Sequence, residues 1–232
     1  MLDIKVLGSG SSGNCYIVGD GKSRLLLDAG LPIRQIQAGC DYKVNELAGC
    51  LVTHNHKDHS KAVRDLTRRG VKVYGTQEMR EDGLPITVLK KQAQDLTSIG
   101  VGTFNVRPFL ALHDCECYGY SIHSLVTNDK LIYLTDSAKI PYRFKGVDYW
   151  LIEANYSLKI LDEKVANGMD ETRANRVINT HMSIEKLLTY FQGFDHLPAR
   201  EIHLIHLSND NSDAEAFQKQ VEAATGVPVY IA

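Results

Sequence analysis

Residues 54–59 have the sequence His-Asn-His-Lys-Asp-His, and they constrain this chain more than any other stretch. Three imidazoles and one carboxylate within six residues form a dense set of ligands for a borderline metal such as zinc. The stretch follows an apolar strand predicted at 51–53 and precedes a helix predicted over 61–69. A loop between a strand and a helix can turn several side chains towards one point, whereas capping a helix needs only one such residue. The pattern therefore predicts a metal site.

Length and composition narrow the class of protein. The chain has 232 residues and a formal net charge of −2, with 44% hydrophobic and 23% charged residues. These values are typical of globular proteins and exclude disordered, collagen-like and coiled-coil chains. The near-neutral balance argues against a histone-like nucleic-acid binder, but it allows an enzyme that takes a phosphodiester into a local metal site. Because no linker or repeat divides the sequence, we expect a single domain over 1–232.

The sequence also predicts a location. No apolar run approaches the roughly 18–20 residues that cross a bilayer, and the first ten residues lack the charged and apolar segments of a signal peptide. The cysteines are odd in number and show no repeated spacing, so no disulfide framework is expected. We therefore expect a cytoplasmic protein, with no membrane partner and with reduced thiols at Cys15, Cys40, Cys50, Cys115 and Cys117. The Cys-x-Cys pair, Cys115 and Cys117, could join a metal site, but its apolar neighbourhood favours a strand pair.

Short apolar runs and helical spacing alternate along the chain. Strands are predicted at 2–7, 15–18, 24–27, 51–53, 71–74, 106–112, 119–124, 130–134, 149–152, 202–207 and 227–231. Helices are predicted at 61–69, 170–177, 184–191 and 213–224, with Ser183 as the N-cap of the third. Two β-rich halves with helices to cover them predict two sheets between helical layers.

Two motifs together resemble a known family. Asp28-Ala29-Gly30 ends one predicted strand, and the histidine-rich loop follows another. This pair resembles the opening signature of the metallo-β-lactamase-fold hydrolases, whose later motifs are a lone His, a lone Asp and a final His at strand ends. His113, Asp136 and His206 stand in that order. The resemblance covers nearly the whole chain. It implies an α/β fold, a four-layer αββα sandwich of two mixed β-sheets flanked by helices.

The resemblance also implies two divalent metal ions per chain. It assigns the first ion to His54, His56 and His113, the second ion to Asp58, His59 and His206, and a shared position to Asp136. A carboxylate shared by two dications ~3.5–4 Å apart offsets their repulsion. The imidazole-rich set favours zinc, and manganese is the alternative because availability decides occupancy.

Three of these assignments rest on position in the chain. Asp28 resembles a family carboxylate that hydrogen-bonds the metal loop rather than the metal. Asp136 by itself would be an ordinary turn residue. His203 lies three residues before His206 on the same predicted strand, so the two side chains point to opposite faces. His206 is nearer the end of the strand and is followed by Leu-Ser, which matches the family pattern better.

Local strings resemble the YycJ (WalJ)-type branch of the family. Residues 8–14 resemble its SGSxGN opening, 153–156 its EANY segment and 206–211 its HLSxxN element. Residues 180–183 resemble its GHLSN element, with Thr180 in place of Gly and Met182 in place of Leu. Proteins of this branch are described as phosphodiesterases, including exonucleases that act on DNA. These departures bear on the choice of substrate rather than on the metal chemistry.

The resemblance implies catalytic roles for Asp58 and His181, with a metal-bridging hydroxide as the nucleophile. His181 either contacts the scissile phosphate and protonates the leaving oxygen or caps the helix that begins at 184. The backbone of the Gly-Ser loop either binds phosphate or forms a simple turn. Ser11, Asn14 and Ser183 are the predicted substrate contacts.

The predicted activity is hydrolysis of a phosphodiester, with DNA or another nucleic acid as the partner. Hydrolysis of a thioester or lactone on the same metal site is the first alternative. A di-iron redox centre is disfavoured because His56 stands where such proteins typically carry glutamate. A non-catalytic scaffold is disfavoured because every expected ligand position is filled. Cleavage polarity, strand preference and oligomeric state stay open.

Overall fold

The computed structural model describes residues 1–89, 91–92 and 95–232, and for 91–92 and 95–96 it describes only the backbone. The chain forms two compact units. Unit 1 consists of Met1–Leu110 and Cys115–Lys130, and unit 2 consists of Ala111–Asp114 and Leu131–Ala232. The single domain over 1–232 therefore stays a prediction. Among the described residues, no helix combines the length and the apolar character that crossing a bilayer requires.

Unit 1 contains a mixed sheet of six strands in sequence order. Its strands are β1 Asp3–Gly8, β2 Cys15–Gly19, β3 Arg24–Leu27, β4 Gly49–Leu51, β5 Val73–Gly75 and β6 Thr87–Val88. The first three strands pair antiparallel, and β3 to β6 pair parallel. β2 is buried along its whole length because it lies inside the sheet and its side chains are apolar. The sequence Gly19-Asp20-Gly21 predicts a hairpin between the strands at 15–18 and 24–27, and the antiparallel pairing of β2 with β3 confirms it.

The other elements of unit 1 are short. Strands β7 Lys91–Gln92 and β8 Asp95–Leu96 pair with each other, and β9 Ile99–Val101, β10 Phe104–Leu110 and β11 Tyr118–Ser124 form antiparallel pairs. The helices are α1 Ile33–Gly39, α2 Lys57–Ser60, α3 Val63–Arg68 and α4 Gln77–Glu81, with a 3₁₀ helix at Val44–Glu46. A buried cluster that includes Ile17, Leu26, Val52 and Leu66 packs the helices on the six-stranded sheet.

Unit 2 alternates strands and helices. Its strands β12 Lys130–Leu134, β13 Tyr149–Glu153, β14 Glu201–Ile205 and β15 Val229–Ile231 pair parallel in that order, with Lys130 itself in unit 1. Its helices are α5 Leu158–Ala166, α6 Glu171–Thr180, α7 Ile184–Gln192 and α8 Ala214–Thr225. Side chains of Asp170, Ser183 and Asp213 cap three of these helices by accepting a backbone N–H.

Several predicted boundaries differ from the structure. The strand predicted at 202–207 ends at Ile205, so His206 lies outside it. The strand predicted at 106–112 ends at Leu110, which places His113 three residues beyond its end. The helix predicted at 61–69 is instead two short helices, α2 and α3. The first begins at Lys57 because the second half of the histidine-rich loop already has a helical conformation. Helices α1, α4 and α5 are not predicted from the sequence; all three are short, and each has a single fully buried side chain.

Candidate metal centre

The loop at 54–59 in unit 1 is fixed by backbone contacts with two distant segments. The Ala29 N–H donates to the His59 carbonyl at 2.7 Å, and the Asn14 N–H donates to the Asp58 carbonyl at 2.7 Å. Gly30 approaches the same loop so closely that a Cβ on it would lie 1.6 Å from the Asp58 carbonyl oxygen. The Asp28-Ala29-Gly30 motif therefore supplies the backbone that seats this loop, and only glycine fits at its third position.

A buried carboxylate orients two imidazoles of the loop. Asp28 Oδ2 lies 2.7 Å from His59 Nδ1, and Asp28 Oδ1 accepts the Thr53 N–H at 2.8 Å. The Thr53 hydroxyl oxygen in turn lies 3.0 Å from His54 Nδ1. Both rings are thereby engaged at Nδ1, as is common for histidines that bind a metal through Nε2. Asp28 thus lies next to the loop and contacts His59, a proposed ligand, and its role towards a metal stays a prediction.

The lone pair of His59 is located by a second contact. The Asn14 side-chain amide Nδ2 lies 3.1 Å from His59 Nε2, and an amide N–H can only donate. With Nδ1 facing a carboxylate, Nε2 is the nitrogen that carries the lone pair. The neutral imidazole with this tautomer is the form that binds a metal through Nε2. The donors are close together: Asp58 Oδ2 lies 3.3 Å from His59 Nε2, and the ring centroid of His54 lies 4.6 Å from that of His56.

Three predicted site residues adopt a left-handed backbone. φ is 56° at Asp28, 48° at Asp136 and 54° at His206, and each residue follows the end of a strand. Non-glycine residues rarely adopt positive φ, although Asp and His tolerate it better than most. Such backbone geometry concentrates at functional sites, where the surrounding structure holds it in place.

In unit 2, one buried carboxylate contacts two imidazoles at once. Glu153 Oε1 lies 2.7 Å from His181 Nδ1 and 2.9 Å from His206 Nδ1. Its other oxygen, Oε2, accepts the backbone N–H of Ser137 at 3.1 Å and of Met182 at 3.0 Å. Glu153 is 1% exposed. It is therefore a fully hydrogen-bonded hub that holds both rings.

The charges in this hub shift each other's pKa. Burial by itself would raise the pKa of Glu153, but the adjacent His181 and the imidazole hydrogen bonds outweigh burial and hold this pKa below its ordinary value. Burial by itself would lower the pKa of His181, and the Glu153 carboxylate overcomes it and raises this pKa. Both shifts indicate a hydrogen-bonded pair of opposite charges.

His206 and His203 have different surroundings. The Asn155 side-chain amide donates to the His206 carbonyl at 2.8 Å, and the imidazole of His206 faces the Glu153 hub. His203 Nε2 instead lies 3.0 Å from Glu201 Oε2, and its ring stacks on Tyr230 at a centroid distance of 5.1 Å. Of the two histidines, only His206 belongs to the group of candidate ligands.

His113 occupies a partly buried position in the same unit. Its Nδ1 lies 3.1 Å from the Thr180 carbonyl, and its Nε2 lies 3.1 Å from Asp114 Oδ1. Burial lowers the pKa of His113, although Asp136 and Asp114 oppose this effect. A lowered pKa favours the neutral imidazole, which is the form that coordinates a metal.

The predicted substrate contacts have varied environments. Ser11 lies in an exposed turn. Asn14 is buried, and its amide also contacts the Gly10 carbonyl. Ser183 is buried as well and accepts the Lys186 N–H as the N-cap of α7, so the cap at this helix belongs to Ser183 rather than His181. The substrate roles of all three stay predictions.

The donor sets of both units fit a divalent metal. In unit 2, one ligand atom each from Asp136, Glu153, His181 and His206 lies within 4.8 Å of the others. Unit 1 supplies three imidazoles and Asp58 from a single loop. Imidazole nitrogens and carboxylate oxygens are the ligands that zinc and related ions take from hydrolases. The residues therefore suit divalent metal ions.

The fold and the named relatives together identify a metal-dependent hydrolase with the metallo-β-lactamase fold, an α/β fold of two mixed β-sheets flanked by helices. The predicted fold class is thereby confirmed. Residues 23–207 match the family described as the Beta-lactamase superfamily domain, and the chain belongs to this family.

Two named relatives and one solved structure agree with this assignment. The chain is 30% identical to exodeoxyribonuclease YycJ of Bacillus anthracis, over 95% of this chain and 88% of the relative. It is 30% identical to exodeoxyribonuclease WalJ of Streptococcus pneumoniae, over 67% of this chain and 63% of the relative. The crystal structure of the metallo-beta-lactamase fold protein YhfI from Bacillus subtilis covers 100% of this chain and 96% of its own, with a TM-score of 0.74 and 18% identity. The predicted family resemblance is confirmed.

Sequence reasoning missed the hub. The sequence marks Glu153 only as part of the EANY string, and it predicts no role for Thr53 or Asn155. A signal for Glu153 was present, because an acidic residue ends the otherwise apolar strand β13 in the same way that Asp136 follows β12. Thr53 and Asn155 contact the proposed ligands only through side-chain hydrogen bonds, which leave no pattern in a sequence.

Proposed function

We propose that this chain holds two divalent ions and hydrolyses phosphodiester bonds in DNA as an exonuclease. Zinc is the favoured ion, and manganese is the alternative. The proposed ligands are those that the family resemblance implies: His54, His56, His113, Asp58, His59, His206 and Asp136. The donor chemistry supports this set, because it combines six metal-binding side chains with one carboxylate of the kind that two ions can share. Five of the seven are imidazoles, which favours zinc.

One observation carries the choice of a phosphodiester, namely the 2.7 Å contact between His181 Nδ1 and Glu153 Oε1. Because this contact engages Nδ1, the other ring nitrogen, Nε2, can give a proton to a leaving oxygen. The sugar oxygen of a phosphodiester is a poor leaving group and needs that proton, whereas the thiolate of a thioester does not. A positioned acid therefore favours the phosphodiester.

The chain's own residues divide the remaining tasks. When bound, the two ions supply Lewis-acid activation of a water and neutralise negative charge on the phosphate. Asp28 and Thr53 hold two loop imidazoles in orientation, and Glu153 does so for His181 and His206. Asp58 and His59 come from the same turn of chain, so this donor pair is set by local backbone.

A basic and aromatic segment supports a nucleic-acid substrate. Directly after Asp136, the stretch 139–145 carries Lys139, Tyr142, Arg143 and Lys145, all of them exposed. Alternating cations and aromatic rings suit a single strand, since cations attract the phosphates and rings stack on the bases. The names of YycJ and WalJ, both exodeoxyribonucleases, point to the same substrate.

The test is a comparison of substrates on one enzyme preparation. Protein stripped of metal is loaded with zinc or manganese, and its metal content is measured. It is then given end-labelled single- and double-stranded DNA, RNA, bis-p-nitrophenyl phosphate, a thioester and a lactone. We expect two ions per chain and stepwise release of nucleotides from DNA. Turnover of the thioester or lactone with DNA left intact would replace this proposal with the first alternative. Inactivity on every substrate at full loading would indicate a scaffold.

A cytoplasmic location belongs to the same proposal. Its support is that all five cysteines, which lie in the described part of the chain, are thiols rather than disulfides. Fractionation of cells that express the tagged full chain, with thiol labelling of the recovered protein, tests it. Recovery of oxidised protein from outside the cytoplasm would contradict it.

A further inference from the structure

The Cys-x-Cys pair has no role in the proposed reaction, yet its two thiols have unlike surroundings in unit 1. Cys117 is buried, and its Sγ lies 3.7 Å from His54 Nδ1, the same nitrogen that the Thr53 hydroxyl contacts. Cys115 is only partly buried. Its Sγ belongs to a group of candidate ligand atoms that includes one ring nitrogen of His54 and one of His56, all within 4.8 Å of one another.

These separations suit a common ion. Around a tetrahedral zinc, with bonds of about 2.0–2.1 Å to nitrogen and about 2.3 Å to sulfur, ligand atoms lie roughly 3.5 Å apart. Atoms that already lie within 4.8 Å reach such positions by side-chain rotation, without moving the backbone. Cys117 faces the hydrogen-bonding edge of the His54 ring, so the two cysteines do not compete for one role.

We propose that Cys115 is a sulfur ligand of the ion that His54 and His56 hold. This inference rests on the proposed assignment of an ion to those two histidines. On coordination the thiol releases its proton to solvent, and a sulfur–metal bond forms. None of the family motifs described above includes Cys115. The ligand that the resemblance implies in this part of the chain is His113.

A sulfur ligand has a consequence for the choice of metal. Thiolates bind zinc, cadmium and cobalt far better than manganese, which prefers oxygen ligands. Cys115 therefore makes the ion at His54 and His56 selective for zinc. The other ion, assigned to Asp58, His59 and His206, has no such sulfur in its proposed set and accepts either metal. We expect the two positions to differ in metal preference within one chain.

The test uses cobalt as a spectroscopic substitute for zinc in the full chain. A cobalt–thiolate bond gives a charge-transfer band in the near ultraviolet, while imidazole and carboxylate ligands give only the visible ligand-field bands. We expect the near-ultraviolet band in the unaltered protein, its loss in Cys115→Ala and its retention in Cys117→Ala. The visible bands should remain in both variants, because the histidines still hold cobalt.

The outcomes separate this inference from the proposed function. Visible bands without a near-ultraviolet band in the unaltered protein, or a band that Cys115→Ala retains, would overturn the sulfur ligand and leave the metal centre intact. Absence of all cobalt bands would contradict the metal assignment itself. Competition with a chelator gives a second readout: Cys115→Asp should lower the ratio of zinc to manganese affinity by at least about tenfold.

A measurement on the unaltered protein covers the case in which the variants do not fold. Iodoacetamide is added with and without zinc, and the modified cysteines are identified by peptide mass spectrometry. We expect Cys115 to be alkylated in the metal-depleted protein and protected by zinc, because a coordinated thiolate is a weaker nucleophile. Alkylation of Cys115 at the same rate in both states would contradict the inference.

Discussion

Each unit has a buried carboxylate that contacts histidine at Nδ1, but the histidines reach that carboxylate from different parts of the fold. In unit 1, Asp28 contacts His59, which lies on the continuous loop at 54–59. The backbone of Ala29 and Gly30 packs against that loop and holds it in place. In unit 2, Glu153 contacts His181 and His206, which come from the ends of a helix and a strand far apart in the chain. One hub depends on local backbone and the other on tertiary packing. Backbone substitutions should therefore affect unit 1 mainly through folding, whereas side-chain substitutions should affect both units through metal binding and catalysis, and unit 2 the more strongly.

The largest effect is expected at His206. His206→Asn removes a proposed ligand and should lower activity by several orders of magnitude, with loss of one ion per chain. His203→Asn is the matched control, because His203 pairs with Glu201 and stacks on Tyr230. Metal content and DNA hydrolysis are measured on both. Equal metal loss in the two variants would show that the hub does not select His206.

The next effect is expected at His181. His181→Ala should keep both ions and lose about 10²–10⁴ in rate on DNA, the usual range for general acid catalysis. On bis-p-nitrophenyl phosphate, whose leaving group hardly needs a proton, the same variant should keep most of its rate. The ratio of the two rates is the readout. An equal loss on both substrates would leave His181 as a positioning residue.

Glu153→Gln tests the hub of unit 2 directly. Glutamine keeps the shape but replaces one accepting oxygen with an NH₂ group that cannot accept, so at least one of the four hydrogen bonds is lost. We expect a loss of about 10–100-fold in metal affinity or activity, typical of residues that orient ligands. Glu185→Gln is the control, because Glu185 is a partly buried carboxylate that accepts hydrogen bonds from Ser157 and Leu158. If both variants behave alike, Glu153 has only a structural role.

Asp28→Asn tests the corresponding hub of unit 1. Asp28 contacts one imidazole rather than two, and the loop backbone keeps its other contacts. We expect a loss at the lower end of the same range, about 10-fold in metal affinity. Isothermal titration with zinc compares this variant with Glu153→Gln. A greater loss at Asp28 would reverse the ranking of the two hubs.

The smallest effect on the activity of each folded molecule is expected at Gly30, where the main effect is on the stability of the fold. A Cβ there meets the Asp58 carbonyl, so Gly30→Ala should lower the free energy of unfolding by more than about 3 kcal/mol. Gly100→Ala, where a Cβ has nothing within 4 Å, is the control and should be nearly neutral. Urea unfolding followed by circular dichroism measures both. Equal stability of the two variants would mean that the loop at 54–59 can move away from Gly30 without lowering the free energy of unfolding.

The contrast between the units also explains what sequence could predict. The loop of unit 1 was predictable because its donors are contiguous and the hairpin before Asp28 has a clear turn signal. Ser183 as a helix cap was predictable for the same local reason. The hub at Glu153 was not, because its meaning depends on β13, α6 and the end of β14 coming together. The ends of β10 and β14 were not predicted correctly, because apolar residues continue beyond the last residue that pairs with a neighbouring strand.

The left-handed backbone at Asp28, Asp136 and His206 has a consequence for how such a site is dissected. An alanine at these positions loses the side chain and must also adopt a conformation that disfavours ordinary residues by about 1–2 kcal/mol. Alanine scanning would then assign to chemistry a penalty that belongs to the main chain, equivalent to roughly a tenfold error. Asparagine tolerates this conformation and separates the two contributions. For the same reason, variant libraries at these three codons should recover Asn, Asp and Gly far more often than Val, Ile or Thr.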